Sequence, residues 1–148
     1  MRLKSFADMK CSIAQALEVV GDRWTVLILR DALRGTTRFG GFLENLGIAR
    51  NVLAQRLDGL VENGVLERVP YQDKPTRHEY RLTPKGLDTF PVVAALLAWG
   101  DRWVPPDGPP VVLVHKTCGE EAAPVLVCGH CHHPISALDI GPRPSPGA

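Results

Sequence analysis

Two sets of residues in this chain have the types and spacing to do chemistry. Near the C-terminal end, His115-x2-Cys118 is followed, nine residues later, by Cys128-x2-Cys131. An x2 spacing lets two ligands close one tight turn on a cation, and two such turns hold a four-coordinate zinc ion. His115, Cys118, Cys128 and Cys131 are therefore a candidate Cys3His metal site. His130, His132 and His133 crowd the second turn and leave the nitrogen ligand open. A closed tetrahedral site has no position for water, so zinc held there is structural rather than catalytic. A redox-active CGHC pair or a partly ordered tail are the competing readings. A metal enzyme would also need a nearby base, and only Glu120 and Glu121 are close in sequence.

The second set lies between Gly47 and Leu82, GIARNVLAQRLDGLVENGVLERVPYQDKPTRHEYRL. Leu53, Leu57 and Leu60 recur at helical spacing and mark a buried stripe. The opposite face presents Arg50, Asn51, Ala54, Gln55 and Asp58. Arg, Asn and Gln can each make two parallel hydrogen bonds to a base edge, and Ala can approach a thymine methyl. Arg34 and Arg38, ahead of this helix, can reach phosphates and set the docking register. Lys74 and Arg77, in the turn QDKPTR, are placed for a backbone or minor-groove contact. Arg56 sits near the buried edge and suits an ion pair as well as a DNA contact. A solvated polar face is the plain alternative for each residue alone. No cluster of acids, bases or nucleophiles accompanies this stretch, so it reads double-stranded DNA before it reads as a catalyst, and no enzyme is expected.

These residues need elements to carry them. Ile13, Leu17 and Val20 fall on one helical face that ends at Gly21. A second helix runs from Trp24 to Leu33, turning Trp24, Leu27, Ile28 and Leu33 inward. Thr36 or Thr37 can cap a third helix over Phe39 to Leu46. A fourth covers Ala49 to Asn63, with Gly64 suited to the left-handed position after it. Val65 to Tyr71 and His78 to Leu82 read as strands. Thr83 opens a last long helix with Pro84 in its first turn, which Pro91 kinks or restarts. Helix, tight turn, helix and strand-turn-strand make a mainly α fold with a small β-wing: a winged helix-turn-helix, plus a short C-terminal β/zinc-ribbon-like extension.

Residues 1–104 form the DNA-binding and dimerisation domain in this reading. Residues 105–110, PPDGPP, are a proline-rich linker. Residues 111–140 are the Cys/His extension, in which the runs VVLV and PVLV can form a hairpin carrying the two turns. Residues 141–148, GPRPSPGA, have little to bury and are expected to be disordered. The 148-residue chain carries 45% hydrophobic and 22% charged residues with a net charge of +1, which is ordinary for a water-soluble protein. From Arg30 to Lys85, ten Lys and Arg stand against seven Asp and Glu, a local cationic excess. No apolar run approaches the ~20 residues of a membrane span. Asp8 and Lys10 interrupt any signal-peptide core, so a cytoplasmic protein with reduced cysteines is expected.

Cys11 opens the first helix, where backbone N–H groups and the helix dipole favour a thiolate. It is a candidate redox sensor; the alternative is a small side chain that merely packs. The helix from Pro84 to Val104 carries more apolar residues than one core face requires, including Phe90, Leu96, Trp99 and Trp103, which favours a homodimer interface.

Four segments also carry a family resemblance: CSIAQALEVVGDRWTVLIL (11–29), TRFGGFLENL (37–46), GIARNVLAQRLDGLVENGVLER (47–68) and YQDKPTRHEYRLTPKGLDTFPVVAALLAWGDRW (71–103). They resemble the HxlR-type winged-helix transcriptional regulators, the string P-x-x-x-E-Y-x-L-T-x-x-G from Pro75 to Gly86 above all. The resemblance implies a homodimer on a palindromic operator, with terminal helices packing between subunits. It also implies that a cysteine matching Cys11 can sense oxidants or electrophiles, so an oxidant or small-molecule effector is expected. Ala49 departs from the family's Ser-like helix cap, and Gly40-Gly41 weakens the preceding helix. A winged-helix protein–protein assembly module with a structural zinc ribbon is the alternative function.

Overall fold

Helix α2 (Arg23–Leu33) begins where it does because the Asp22 carboxylate accepts hydrogen bonds from the N–H groups of Trp24 at 2.9 Å and Thr25 at 3.3 Å. The computed structural model describes residues 5–104 and 106–145, so residue 105 of the expected linker and 146–148 of the expected tail lie outside the described residues. In chain order the other elements are α1 (Ser12–Val20), α3 (Phe39–Leu46), α4 (Arg50–Glu62), strands β1 (Leu66–Asp73) and β2 (Thr76–Leu82), α5 (Pro84–Leu87) and α6 (Phe90–Trp103). This is a mainly helical chain with a two-stranded antiparallel wing.

The core joins Ile28, Leu29 and Ala32 of α2, Phe42 of α3, Ile48, the expected stripe Leu53, Leu57 and Leu60 of α4, and Val65 and Leu66. Leu27 and Leu33, also expected to face inward, are half-buried. Gly47 and Gly64 take left-handed φ values of +59° and +68° at the ends of α3 and α4, where a side chain would be strained. They set the angle between α3 and α4 and the turn into the wing.

Neither threonine caps α3. Arg38 is its N-cap and contributes no side-chain bond. Thr36 Oγ1 instead accepts from Asn45, and the Thr37 carbonyl accepts from the Tyr80 N–H at 2.7 Å. Both threonines are occupied in tying this loop down. The wing pairs Leu66 with Leu82 and Arg68 with Tyr80, and its register shifts between Pro70 and Gln72. An isolated antiparallel bridge between Arg38 and Glu79 attaches the loop before α3 to β2.

Of the two outcomes expected at Pro91, a kink or a restart, the helix after the wing shows the restart, as α5 and α6. Thr83 Oγ1 accepts from the Gly86 N–H at 3.1 Å and donates to the Gly64 carbonyl at 2.6 Å, so α5 is capped and anchored at once. It stops at Leu87, and α6 restarts at Phe90 with Pro91 in its first turn, where a missing N–H leaves nothing unpaired. Only the last residue of the α1 stripe, Val20, packs against the core; Ile13 is 72% and Leu17 48% exposed, and Ala14 is the buried residue of the helix. On α6, Phe90, Leu96, Trp99 and Trp103 are likewise at least half exposed.

The chain divides into two compact units, Met1–Val93 and Ala94–Ala148, with the boundary inside α6. In the second unit, Ala94, Leu97 and Ala98 of α6 line a cavity of about 140 Å³ together with Val111, Leu113 and Ala122. The runs VVLV and PVLV do not pair with each other. Val114 bridges to Glu121 and Val127 to Pro134, so each run folds back on the residues after its own turn. Each turn is short enough to close locally, which removes the need for a longer hairpin. No helix among the described residues is long and apolar enough to cross a membrane.

Candidate functional site

A groove of about 430 Å³ opens where the starts of α3 and α4 meet the wing. Arg38, Phe39 and Gly40 come from α3 and its cap, Arg50 from the first position of α4, and Tyr71, Arg77, His78 and Tyr80 from the wing. Three arginines thus line the groove, and two of them stand over aromatic rings. Arg38 lies 4.4 Å from the Tyr71 ring centre and Arg50 5.5 Å from that of Phe39, distances at which a cation gains from the ring face. Neither α3 nor α4 has a side-chain cap. The N–H groups of both first turns are left to other acceptors, and both helix dipoles present their positive ends.

Arg38 shares the Glu79 carboxylate with Arg81: Arg38 Nε is 3.5 Å from Oε1 and Arg81 Nη2 2.8 Å from Oε2. The Arg81 hydrogen bond, helped by its charge and by Arg38, outweighs desolvation and holds Glu79 below the usual carboxylate range. Arg50 and Arg77 form no ion pair among the described residues. The groove therefore keeps uncompensated positive charge.

Of the residues expected to meet DNA, Arg38, Arg50 and Arg77 are gathered here. Asn51 and Gln55 are exposed further along α4, and Ala54 between them is half-buried. Lys74 is exposed at the wing tip, and Arg34 is exposed at the end of α2, outside the groove. Asp58 does not stand free on the helix face, because Arg68 of β1 pairs with it. Phe39, Tyr71, His78 and Tyr80 are groove residues that helical periodicity does not reveal; for the wing residues the signal was a pair of tyrosines flanking Lys74, Arg77 and His78 in YQDKPTRHEY.

Arg56 is an ion-pair residue in this structure. Its Nε lies 2.9 Å and its Nη2 3.1 Å from the two carboxylate oxygens of Asp22, which joins α4 to the cap of α2. Burial pushes the Asp22 carboxyl up, but Arg56 and the N–H groups of Thr25 and Trp24 together bring it below the ordinary value. A depressed carboxyl stabilises fully above its unfolded pKa, and the effect is lost as pH falls through the folded value. Arg56→Ala should remove about 1 kcal/mol at neutral pH, the pair being a third exposed. The loss should shrink in acid; thermal melts from pH 7 to pH 3 (roughly the span of that titration) check both points.

Cys11 is the exposed N-cap of α1 and makes no side-chain cap bond. In the extension, His115 Nδ1 and Cys118 Sγ are 3.2 Å apart. The Cys128 thiol is held below its usual range by the backbone N–H of Cys131, then that of His130, and by the Cys131 side chain. Among the described residues, no group of three or more His, Cys, Asp or Glu side chains gathers around one point.

Comparison with known proteins agrees with this architecture. The family model for HxlR-like helix-turn-helix proteins matches residues 19–108. The uncharacterised HTH-type transcriptional regulator Rv3095 of Mycobacterium tuberculosis is 53% identical over 137 residues, 92% of this chain and 87% of that protein. The crystal structure of PA1607, a candidate transcription factor, aligns with a TM-score of 0.86 at 39% identity, over 96% of this chain and 100% of that one. The redox regulator HypR in its reduced form aligns with a TM-score of 0.59 at 27% identity, over 62% of this chain and 92% of that one. With its helix-turn-helix and wing in place, the chain belongs to the HxlR-like helix-turn-helix family of transcriptional regulators and is not an enzyme.

Proposed function

We propose that this regulator binds double-stranded DNA as a homodimer on a palindromic operator, under the control of thiol oxidation or a small ligand. The observation that carries the reading is the convergence of Arg38, Arg50 and Arg77, from three separate elements, beside the exposed Asn51 and Gln55. In this reading the guanidinium groups and uncapped helix starts hold phosphates and fix orientation. Asn51 and Gln55 then reach base edges in the major groove, with Lys74 beside it on the wing and Arg34 on the flanking backbone.

The homodimer is supported by the apolar residues left outside the core, Ile13 and Leu17 on α1 and Leu96, Trp99 and Trp103 on α6. A two-fold pair of recognition helices matches half-sites about one helical turn apart. Control by oxidation is supported by the exposure of Cys11 and by the likeness to HypR. Oxidation would shift the spacing of the two helices and spoil simultaneous binding.

A titration against the DNA flanking the chain's own gene tests this. Two chains should bind per operator, and affinity should fall about a thousandfold between roughly 50 and 200 mM salt if six or more phosphates are held. One chain per site, or salt-independent binding, contradicts the proposal and favours a protein–protein assembly role. Diamide should release the wild type and spare Cys11→Ser; equal release removes Cys11 from the mechanism.

A further inference from the structure

The extension contains a short structural repeat. Residues 113–122, LVHKTCGEEA, and 126–135, LVCGHCHHPI, have the same backbone design at an offset of thirteen positions. Val114 bridges to Glu121 as Val127 does to Pro134. The His115 N–H donates to the Glu120 carbonyl at 2.9 Å, and Cys128 to His133 at the same distance. Gly119 N–H donates to the His115 carbonyl at 2.8 Å, and His132 to Cys128, again at 2.8 Å. Ala122 and Ile135 close the two turns on Leu113 and Leu126. Gly119 and His132 share the left-handed backbone, with φ of 76° and 60°.

That equivalence sorts the side chains. His115 matches Cys128 and Cys118 matches Cys131, while His130, His132 and His133 match Thr117, Gly119 and Glu120. The three crowding histidines therefore occupy positions that carry no potential ligand in the first turn, Glu120 apart. Within the first turn, His115 Nδ1 and Cys118 Sγ stand 3.2 Å apart. Two ligands on one tetrahedral zinc, at about 2.05 and 2.3 Å from the metal, would be about 3.6 Å apart.

Beyond the contact of Val111, Leu113 and Ala122 with α6, the extension has little to hold it together. Between residues 111 and 140 no side chain is buried, and only Leu113, Cys128 and Ile135 are even half-buried. A segment this small, without a core, needs a metal, a cross-link or a partner to stay ordered.

We infer that the two turns are zinc knuckles that close on one ion, held by His115 Nδ1 and the thiolates of Cys118, Cys128 and Cys131. The turns hold their ligands as two separate pairs, and binding draws the pairs together while three thiol protons pass to solvent. The role is structural and independent of the DNA reading above.

Metal analysis of the reduced, full-length protein tests this, with cobalt(II) as a second probe. The wild type should hold about one equivalent of zinc and give an intense sulfur-to-cobalt absorption band. His115→Ala, Cys118→Ser and Cys131→Ser should each lose most of the zinc; the triple variant His130→Ala/His132→Ala/His133→Ala should keep it. The thermal transition of the helical unit should be unchanged in all of them, which separates metal loss from misfolding. Well under one equivalent in a wild type that also fails to take up added zinc overturns the proposal. So does retention by His115→Ala together with loss in the triple histidine variant, or a Cys128–Cys131 disulfide in protein incubated with zinc.

Discussion

Arg50→Ala is expected to weaken binding to the operator by about tenfold to a hundredfold while leaving the thermal midpoint of the protein unchanged. Arg50 is the first residue of α4, exposed, over the Phe39 ring and without a carboxylate partner among the described residues. Its one side-chain contact, over Phe39, is worth little at an exposed site, so the change should appear in binding and barely in the midpoint. Arg38→Ala is a useful contrast, because it also leaves Glu79 to Arg81 alone and weakens the loop-to-wing attachment. Asn51→Ala should instead reduce discrimination between operator and random DNA, since an amide reads a base edge and a phosphate contact does not. Fluorescence anisotropy on both DNAs separates these outcomes. Unchanged affinity in Arg50→Ala would count against the groove as the docking site.

A second large effect is expected from the smallest possible change. Gly86 is buried in α5, and a methyl group there would stand 2.2 Å from the Val65 carbonyl oxygen and 2.9 Å from Leu82 Cδ2. The carbonyl is backbone and already accepts from the Thr83 N–H at 3.2 Å, so it cannot swing aside without loosening the base of the wing. Gly86→Ala should therefore cost about 2–3 kcal/mol and lower the melting midpoint by roughly 10 °C. No unusual φ is involved; glycine is needed for close approach alone. A midpoint within about 1 °C of the wild type would show that α5 can shift freely.

The parts of this protein that follow from short-range rules are legible in its sequence. Leu53, Leu57 and Leu60 defined α4, Gly47 and Gly64 its borders, and Pro84 the start of α5, because each depends on local backbone and periodicity. What escaped was set by tertiary neighbours. Ile13 and Leu17 of the α1 stripe have core spacing yet face outward, with only Val20 against the core, since periodicity records a face and not what covers it. Thr36 and Thr37 are good caps by type, but the loop uses them to hold α3 and β2. The groove was half legible: its arginines stood out, whereas Tyr71 and Tyr80 joined it only through the pairing of β1 with β2. The repeated turns of the extension share few residues beyond Leu-Val and a cysteine, and hydrogen bonds made their likeness plain.

The Arg38–Glu79 bridge has a thermodynamic consequence. A free two-stranded hairpin samples many orientations and surrenders that freedom when it docks. Here the Thr37 carbonyl and the Arg38 side chain clip β2 to the loop that starts α3, and Tyr71 stacks on the clip. The wing is held in advance at a set angle to the helices beside it, so less configurational entropy remains to be lost at an encounter. Loosening the clip should then show mainly as a more unfavourable entropy of association, with the heat released little altered.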